Sequence, residues 1–288
     1  MAPGIAIVVL TFAALTAAIL LKVRRASKSA VFRLKNFAQS IFVRAEERGA
    51  FRRLPAFDCD YLRDYPELRI LEENYPAIRE ECLALLEIKD EITDVDKLSR
   101  KYTSGGIHAI RWKSFMFKSG KFLDGNCRLA PHTAALLRRI PNVYTAFFSI
   151  LDPHQYITPH CGPWKGIVRY HLGVVIPNDN REKECWLRIN TRPERDLDSV
   201  ANIRRGDLYH WKNGAGVMFD DTFVHDAANE SDEVRVVLWL DIARKMPLHL
   251  HLLNKLFIAI AHTEASLREI RTNARVRDPR RAAHSAGP

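Results

Sequence analysis

Two histidines lie 65 residues apart in this 288-residue chain, His160 in PHCGPWKGIVRYHLG and His225 in FDDTFVH. Arg235 follows the second by ten residues, inside the apolar run RVVLWLD. Neutral imidazoles suit Fe(II), and a guanidinium suits a dicarboxylate. Together the three suggest an iron site that also holds 2-oxoglutarate. A carboxylate two residues after the first histidine would complete a facial ligand set. Gly162 stands there instead.

Strand periodicity sorts the neighbouring residues onto two faces. In GIVRYHLGVV, Val168, Tyr170, Leu172 and Val174 point one way and can fill a core, while Arg169, His171 and Gly173 point toward a polar pocket. In VRVVLWLD, Val234, Val236, Leu238 and Leu240 share one face, and Arg235 shares the other with Val237, Trp239 and Asp241. An arginine buried in a strand needs an anionic partner, because an unpaired buried charge is costly. A protein carboxylate or a ligand carboxylate would both serve. A turn over Asn229, Glu230, Ser231 and Asp232 predicts an antiparallel hairpin, with His225 and Arg235 entering one cavity from adjacent strands.

The stretch PHCGPWKGIVRYHLGVVIP, then GVMFDDTFVH and VRVVLWLD, resembles the aspartyl/asparaginyl β-hydroxylase family over roughly residues 66–243. The resemblance is strongest at the two histidine motifs. It implies a mainly β fold with flanking helices, a double-stranded β-helix of jelly-roll or cupin-like form. It also implies an Fe(II) dioxygenase with 2-oxoglutarate and O2 as cosubstrates, oxidising an unactivated C–H. By this resemblance His160 and His225 bind the metal and Arg235 holds the distal carboxylate of 2-oxoglutarate, the three forming the catalytic set. Ser149 matches a hydroxyl that hydrogen-bonds the same carboxylate. Arg169 and His171 match an RxH pair contacting cosubstrate or an acidic substrate, and Trp112 matches a further pocket residue.

The acceptor implied is an Asp or Asn side chain in a peptide or protein, or the acyl chain of a membrane lipid, oxidised at its second carbon as in lipid A or ornithine-lipid hydroxylases. The first is slightly favoured, because His160-Cys161-Gly162 resembles the Asp/Asn hydroxylases whereas the lipid A 2-hydroxylases retain HxD. A non-catalytic module binding metal and 2-oxoglutarate is a third reading, and a cupin-like protein with another metal a fourth. Water, Asp220 or Asp221 could fill the vacancy at Gly162, although the two aspartates are expected to cap a turn and orient His225. Cys161 is expected to point into the core.

Several elements must position these groups. Residues 66–87 read as a helix pair interrupted at Pro76, WKSFMF as a strand before a turn at Ser119-Gly120, and 131–139 as a helix. VYTAFFSIL, GIVRYHLGVV, ECWLRIN, DLYHW, GVMFD and VRVVLWLD read as strands separated by Asn, Asp, Gly and Pro. Their spacing suggests a sandwich or barrel. Residues 244–267 read as a C-terminal helix packed on the barrel or, as an alternative, lying in a membrane interface.

The first 21 residues carry no charge and are about long enough to span a bilayer. Lys22, Arg24, Arg25 and Lys28 follow at once, which predicts an uncleaved single-pass anchor with the catalytic domain, 54–243, in the cytoplasm. The net charge of +10 resides in two flanks. Residues 22–53 hold ten Lys or Arg against Glu46 and Glu47, and 268–288 hold six Arg against Glu269 and Asp278. Both flanks read as solvated, partly disordered arms, the first a juxtamembrane linker attracted to anionic headgroups. No nucleic-acid-binding signature accompanies the charge, so nucleic acid is excluded as a partner. Five scattered cysteines without a CxxC pair fit a reducing compartment.

Overall fold

The runs of β-branched and aromatic residues become strands. The computed structural model describes residues 28–99, 110–192, 202–261 and 265–277. Chain contacts divide the protein into two units, residues 1–53 with 244–265, and 54–243 with 266–288. The second unit contains β1 (Trp112–Ser119), β2 (Lys121–Phe122), β3 (Val143–Leu151), β4 (Gln155–His160), β5 (Ile167–Val175), β6 (Cys185–Asn190), β7 (Asp207–His210), β8 (Gly216–Phe219), β9 (Val224–Asn229) and β10 (Arg235–Ala243). They form two antiparallel sheets in the orders β2-β1-β3-β10-β5-β8 and β4-β9-β6-β7. From β3 to β10 the chain repeatedly crosses between the sheets, the winding of a jelly roll.

Parity fixes two cores. Val168, Tyr170, Leu172 and Val174 of β5 and Val236, Leu238, Leu240 and Ile242 of β10 lie on the outer face of the larger sheet, in one cluster with Leu68, Leu71, Ile78 and Leu137. Trp112, Phe147, Ile157, Leu187, Phe219 and Val237 form the other cluster, between the sheets. An Arg169 or His171 shifted by one register would face the helices rather than the interior.

The longer helices among the described residues are α1 (Lys28–Glu47), α2 (Tyr75–Leu86), α3 (Pro131–Arg139), α4 (Leu248–Ala261) and α5 (Ala265–Asn273), with shorter helical turns between 61 and 98, at Asp124–Cys127 and at Pro177–Asn180. The pair expected in 66–87 is present. Its break falls at Asn74, and Pro76 sits in the first turn of α2, where a missing N–H costs nothing. In the first unit, α1 buries Ala38 and Phe42, and Arg244 pairs with Glu46 at 3.3 Å.

Four expectations are corrected. Strands β9 and β10 do not form a hairpin, because the chain crosses from one sheet to the other between them. The buried Asn229 stabilises that crossing: its Nδ2 lies 3.1 Å from Leu151 O, 3.0 Å from Asp152 O and 2.8 Å from Glu233 O, and Ser231 Oγ donates to its Oδ1 at 2.6 Å. The basic segment 22–53 is not merely a solvated arm, since apolar residues at helical spacing make most of it α1. Residues 244–267 divide between two helices, α4 and α5. The start of the basic tail is docked, with Ala274 fully buried and its carbonyl accepting from Asn126 Nδ2 at 2.8 Å. Residues 1–21, expected as an anchor, lie outside the described residues, and among the described residues no helix is long and apolar enough to cross a membrane.

Candidate metal and anion site

His160 at the end of β4 and His225 near the start of β9 are direct cross-strand partners. A register irregularity between Ile157 and His160 brings them opposite one another, with ring centroids 4.2 Å apart. Each ring is locked in the same way. His160 Nδ1 donates to Thr158 O at 2.8 Å, and His225 Nδ1 donates to Phe223 O at 2.8 Å. A carbonyl only accepts, so the proton resides on Nδ1 and the Nε2 lone pair is left for a metal. Burial holds both imidazoles below their ordinary range, and for His225 the neighbouring His160 and Arg169 lower it further. Both are neutral donors at pH 7.

The cavity also holds a buried cation. Arg235 is 1 % exposed, its Nε has no hydrogen-bond partner, and no carboxylate pairs with it among the described residues. Its guanidinium carbon lies 4.6 Å from the centre of the Trp211 ring. Burial brings its pKa down to about 10, so it remains charged at neutral pH. Ser149 on β3 accepts from Trp112 Nε1 at 2.8 Å, which leaves the serine O–H free to donate. His171 has neither ring nitrogen partnered, and burial, then Arg169 and Arg235, hold it well below its ordinary pKa. Ile157, Leu187, Phe219, Ala227 and Trp239 complete an otherwise apolar lining.

Arg169 differs from what the resemblance implies. It donates to Asp221 Oδ2 at 2.7 Å and to Asp241 Oδ1 at 2.9 Å, and stacks on Trp239 at 3.8 Å. It does not line the cavity. The position of Gly162 explains part of this. Its backbone N–H donates to Asp221 O at 2.6 Å, and a Cβ on Gly162 would overlap the Asp221 carboxylate. The space that a side chain at 162 would fill is thus taken by Asp221. Asp220 caps its turn as expected, accepting from Thr222 N at 3.0 Å and pairing with Lys165 at 2.6 Å. His225, however, is oriented by the Phe223 carbonyl rather than by either aspartate. Cys161 is exposed, not in the core, because it follows β4 at the rim.

The cavity therefore brings together His160, His225, Arg235, Ser149, His171 and Trp112, all of them legible in the sequence, and leaves Arg169 outside. Trp211 and Phe219 were not singled out by sequence. Trp239 was placed by its parity with Arg235, and Phe219 could have been found by the same argument. Trp211 ends the stretch DLYHW read as a strand, on one face with Tyr209, and in the structure follows the last residue of β7.

The chain is 30% identical over 183 residues to an ornithine lipid ester-linked acyl 2-hydroxylase of Rhizobium tropici, covering 63% of this chain and 59% of that protein. It is 26% identical over 186 residues to the human aspartyl/asparaginyl beta-hydroxylase, covering 62% of this chain and 21% of the relative. The chain thus spans less than two thirds of either relative. Among solved structures, a non-heme alpha-ketoglutarate-dependent carbocyclase from nogalamycin biosynthesis aligns at TM-score 0.37 and 16% identity, over 59% of this chain and 75% of its own. A Pseudomonas putida prolyl-4-hydroxylase aligns at TM-score 0.35 and 13% identity, over 59% and 87%. The family description Aspartyl/Asparaginyl beta-hydroxylase matches residues 72–245, more than half of the sequence, and the chain belongs to that family of hydroxylases.

Proposed function

We propose that the protein is an Fe(II)- and 2-oxoglutarate-dependent hydroxylase of unactivated C–H bonds. The observation that carries this reading is the buried, charged Arg235, without a carboxylate partner among the described residues, in a cavity that also presents two neutral imidazoles. An uncompensated buried guanidinium is costly, and a ligand carboxylate would relieve that cost.

The donor set fits Fe(II), which accepts neutral nitrogen ligands. Among the described residues no group of three or more His, Cys, Asp or Glu could hold a metal. His160 and His225 would then be its protein ligands, and the metal when bound would supply oxygen activation coupled to conversion of 2-oxoglutarate to succinate. The chain's own residues bind and orient. Arg235 and the Ser149 hydroxyl hold the distal carboxylate, neutral His171 adds a polar contact, and the aromatic lining excludes water. Wild-type protein with Fe(II), 2-oxoglutarate and O2 should form succinate, and His225→Ala should abolish it. No succinate from wild type with any candidate acceptor would leave a non-catalytic binding module.

We favour an acyl chain as acceptor. The side chain best suited to an acidic substrate, Arg169, is already paired with two aspartates, and the lining beyond Arg235 is aromatic and aliphatic. The name of the Rhizobium tropici relative supports the same chemistry. An Asp or Asn side chain is the second reading, supported by Gly162 in place of a third ligand and by the family description. Mass spectrometry of lipids and proteins from cells with and without the enzyme separates the two, by which pool gains an oxygen. We also propose that residues 1–21 anchor the chain in a membrane, with the basic flank and catalytic domain on the cytoplasmic side. Loss of membrane sedimentation on deleting 1–21 is the expected result, and unchanged sedimentation would refute it.

A further inference from the structure

Three tryptophans line the cavity, and two of them have a use for the indole N–H. Trp112 Nε1 donates to Ser149 Oγ at 2.8 Å, and Trp239 Nε1 donates to Asp241 Oδ1 at 3.1 Å. Trp211 Nε1 has no partner among the described residues, although the residue is 1 % exposed. A buried indole N–H normally finds an acceptor, so an orphaned one in a cavity wall points to a ligand acceptor.

The ring itself faces Arg235, whose guanidinium carbon lies 4.6 Å from its centre. A carboxylate in that place would fix the guanidinium and also neutralise it. An aromatic face attracts the cation while leaving its charge available. The Trp211 backbone is held in turn: Asn180 Nδ2 donates to Trp211 O at 3.1 Å and to Cys185 O at 2.7 Å, while Asn180 Oδ1 accepts from Cys185 N at 3.0 Å.

We propose that Trp211 is the positioning residue for the anion-binding arginine, and that its N–H is a further donor to the ligand carboxylate held by Arg235. The inference rests on the reading of the cavity as a 2-oxoglutarate pocket. It predicts that Trp211 matters for the distal carboxylate and not for the metal end.

Two substitutions separate the roles of ring and N–H. Trp211→Phe keeps an aromatic face and removes the donor, whereas Trp211→Leu removes both. With the full chain and Mn(II), calorimetric titration should show 2-oxoglutarate bound about tenfold more weakly by Trp211→Phe, the loss of one charge-assisted hydrogen bond. Trp211→Leu should be weaker still, by roughly a further tenfold. Affinity for Mn(II) alone, and for 2-oxobutanoate, which keeps the keto acid but lacks the distal carboxylate, should be unchanged in Trp211→Phe. In turnover, KM for 2-oxoglutarate should rise while kcat stays within about twofold. Equal 2-oxoglutarate affinity in Trp211→Phe and wild type would overturn the proposal, as would a matching loss for 2-oxobutanoate. If wild type itself does not bind 2-oxoglutarate, the pocket reading falls and takes this inference with it.

Discussion

Two arginines are buried on neighbouring strands of the larger sheet, Arg169 on β5 and Arg235 on β10. Each lies over a tryptophan ring, Trp239 at 3.8 Å and Trp211 at 4.6 Å. They differ in what compensates the charge. Arg169 has Asp221 and Asp241, whereas Arg235 has no carboxylate among the described residues. The first is a closed account within the fold, and its role is to hold β5, β10 and the turn before His225 together. Under the proposed function, the second keeps its charge for a ligand carboxylate. Side by side they show that burial of an arginine does not by itself mark a binding site.

The sharpest break of this comparison is to remove each guanidinium in turn. Arg169→Met removes the guanidinium that pairs with two largely buried carboxylates and should lower the unfolding free energy by about 3–5 kcal/mol, measured by denaturant titration. Arg235→Met should do the reverse, leaving stability unchanged or higher while 2-oxoglutarate affinity falls about a hundredfold, equivalent to roughly 2.7 kcal/mol. If both variants lose stability alike, the distinction between them disappears.

Gly162→Ala tests the closed pair from its other side. The new methyl must displace the Asp221 carboxylate from Arg169, at a cost of about 2 kcal/mol in stability. An unaffected melting curve would show that Asp221 moves aside freely. Ser149→Ala sharpens the open site: one hydroxyl donor lost should weaken 2-oxoglutarate about fivefold in a titration, with little effect on metal binding.

The smallest effect is in pH. His171 is buried neutral beside both arginines, with its pKa well below the ordinary histidine value, while in the unfolded chain it titrates near pH 6.5. The unfolded state therefore binds the extra proton, so this contribution is complete above about pH 6.5 and is lost as pH falls below it. His171→Asn should flatten the fall in melting temperature of the metal-free protein between about pH 6.5 and pH 5. An identical slope in wild type and variant would place the acid sensitivity elsewhere.

Much of this arrangement was legible because strands have a period of two. Once GIVRYHLGVV and VRVVLWLD were read as strands, the inward sides of His171 and Arg235 followed, and the structure agrees. The strands that carry the metal-site histidines were harder to see. QYITPH and VHDAAN hold proline, histidine, aspartate and asparagine in place of β-branched runs, which weakens their strand propensity signal. The pairing of Arg169 was hidden for a different reason. Its partners Asp221 and Asp241 lie 52 and 72 residues away in sequence, and only the fold brings them together. The crossing between His225 and Arg235 looked like a hairpin because the turn residues of a hairpin and of a sheet-to-sheet corner are the same.

That corner acts as a ruler. Asn229 binds carbonyls at the β3–β4 crossing and at the β9–β10 crossing with one amide, so the two corners cannot slide past one another. The imidazole end and the guanidinium end of the cavity are carried by the strands that leave these corners. The backbone positions from which the two ends project are therefore tied to one another. Under the proposed function, a dicarboxylate one carbon shorter or longer than five should bind less tightly than 2-oxoglutarate.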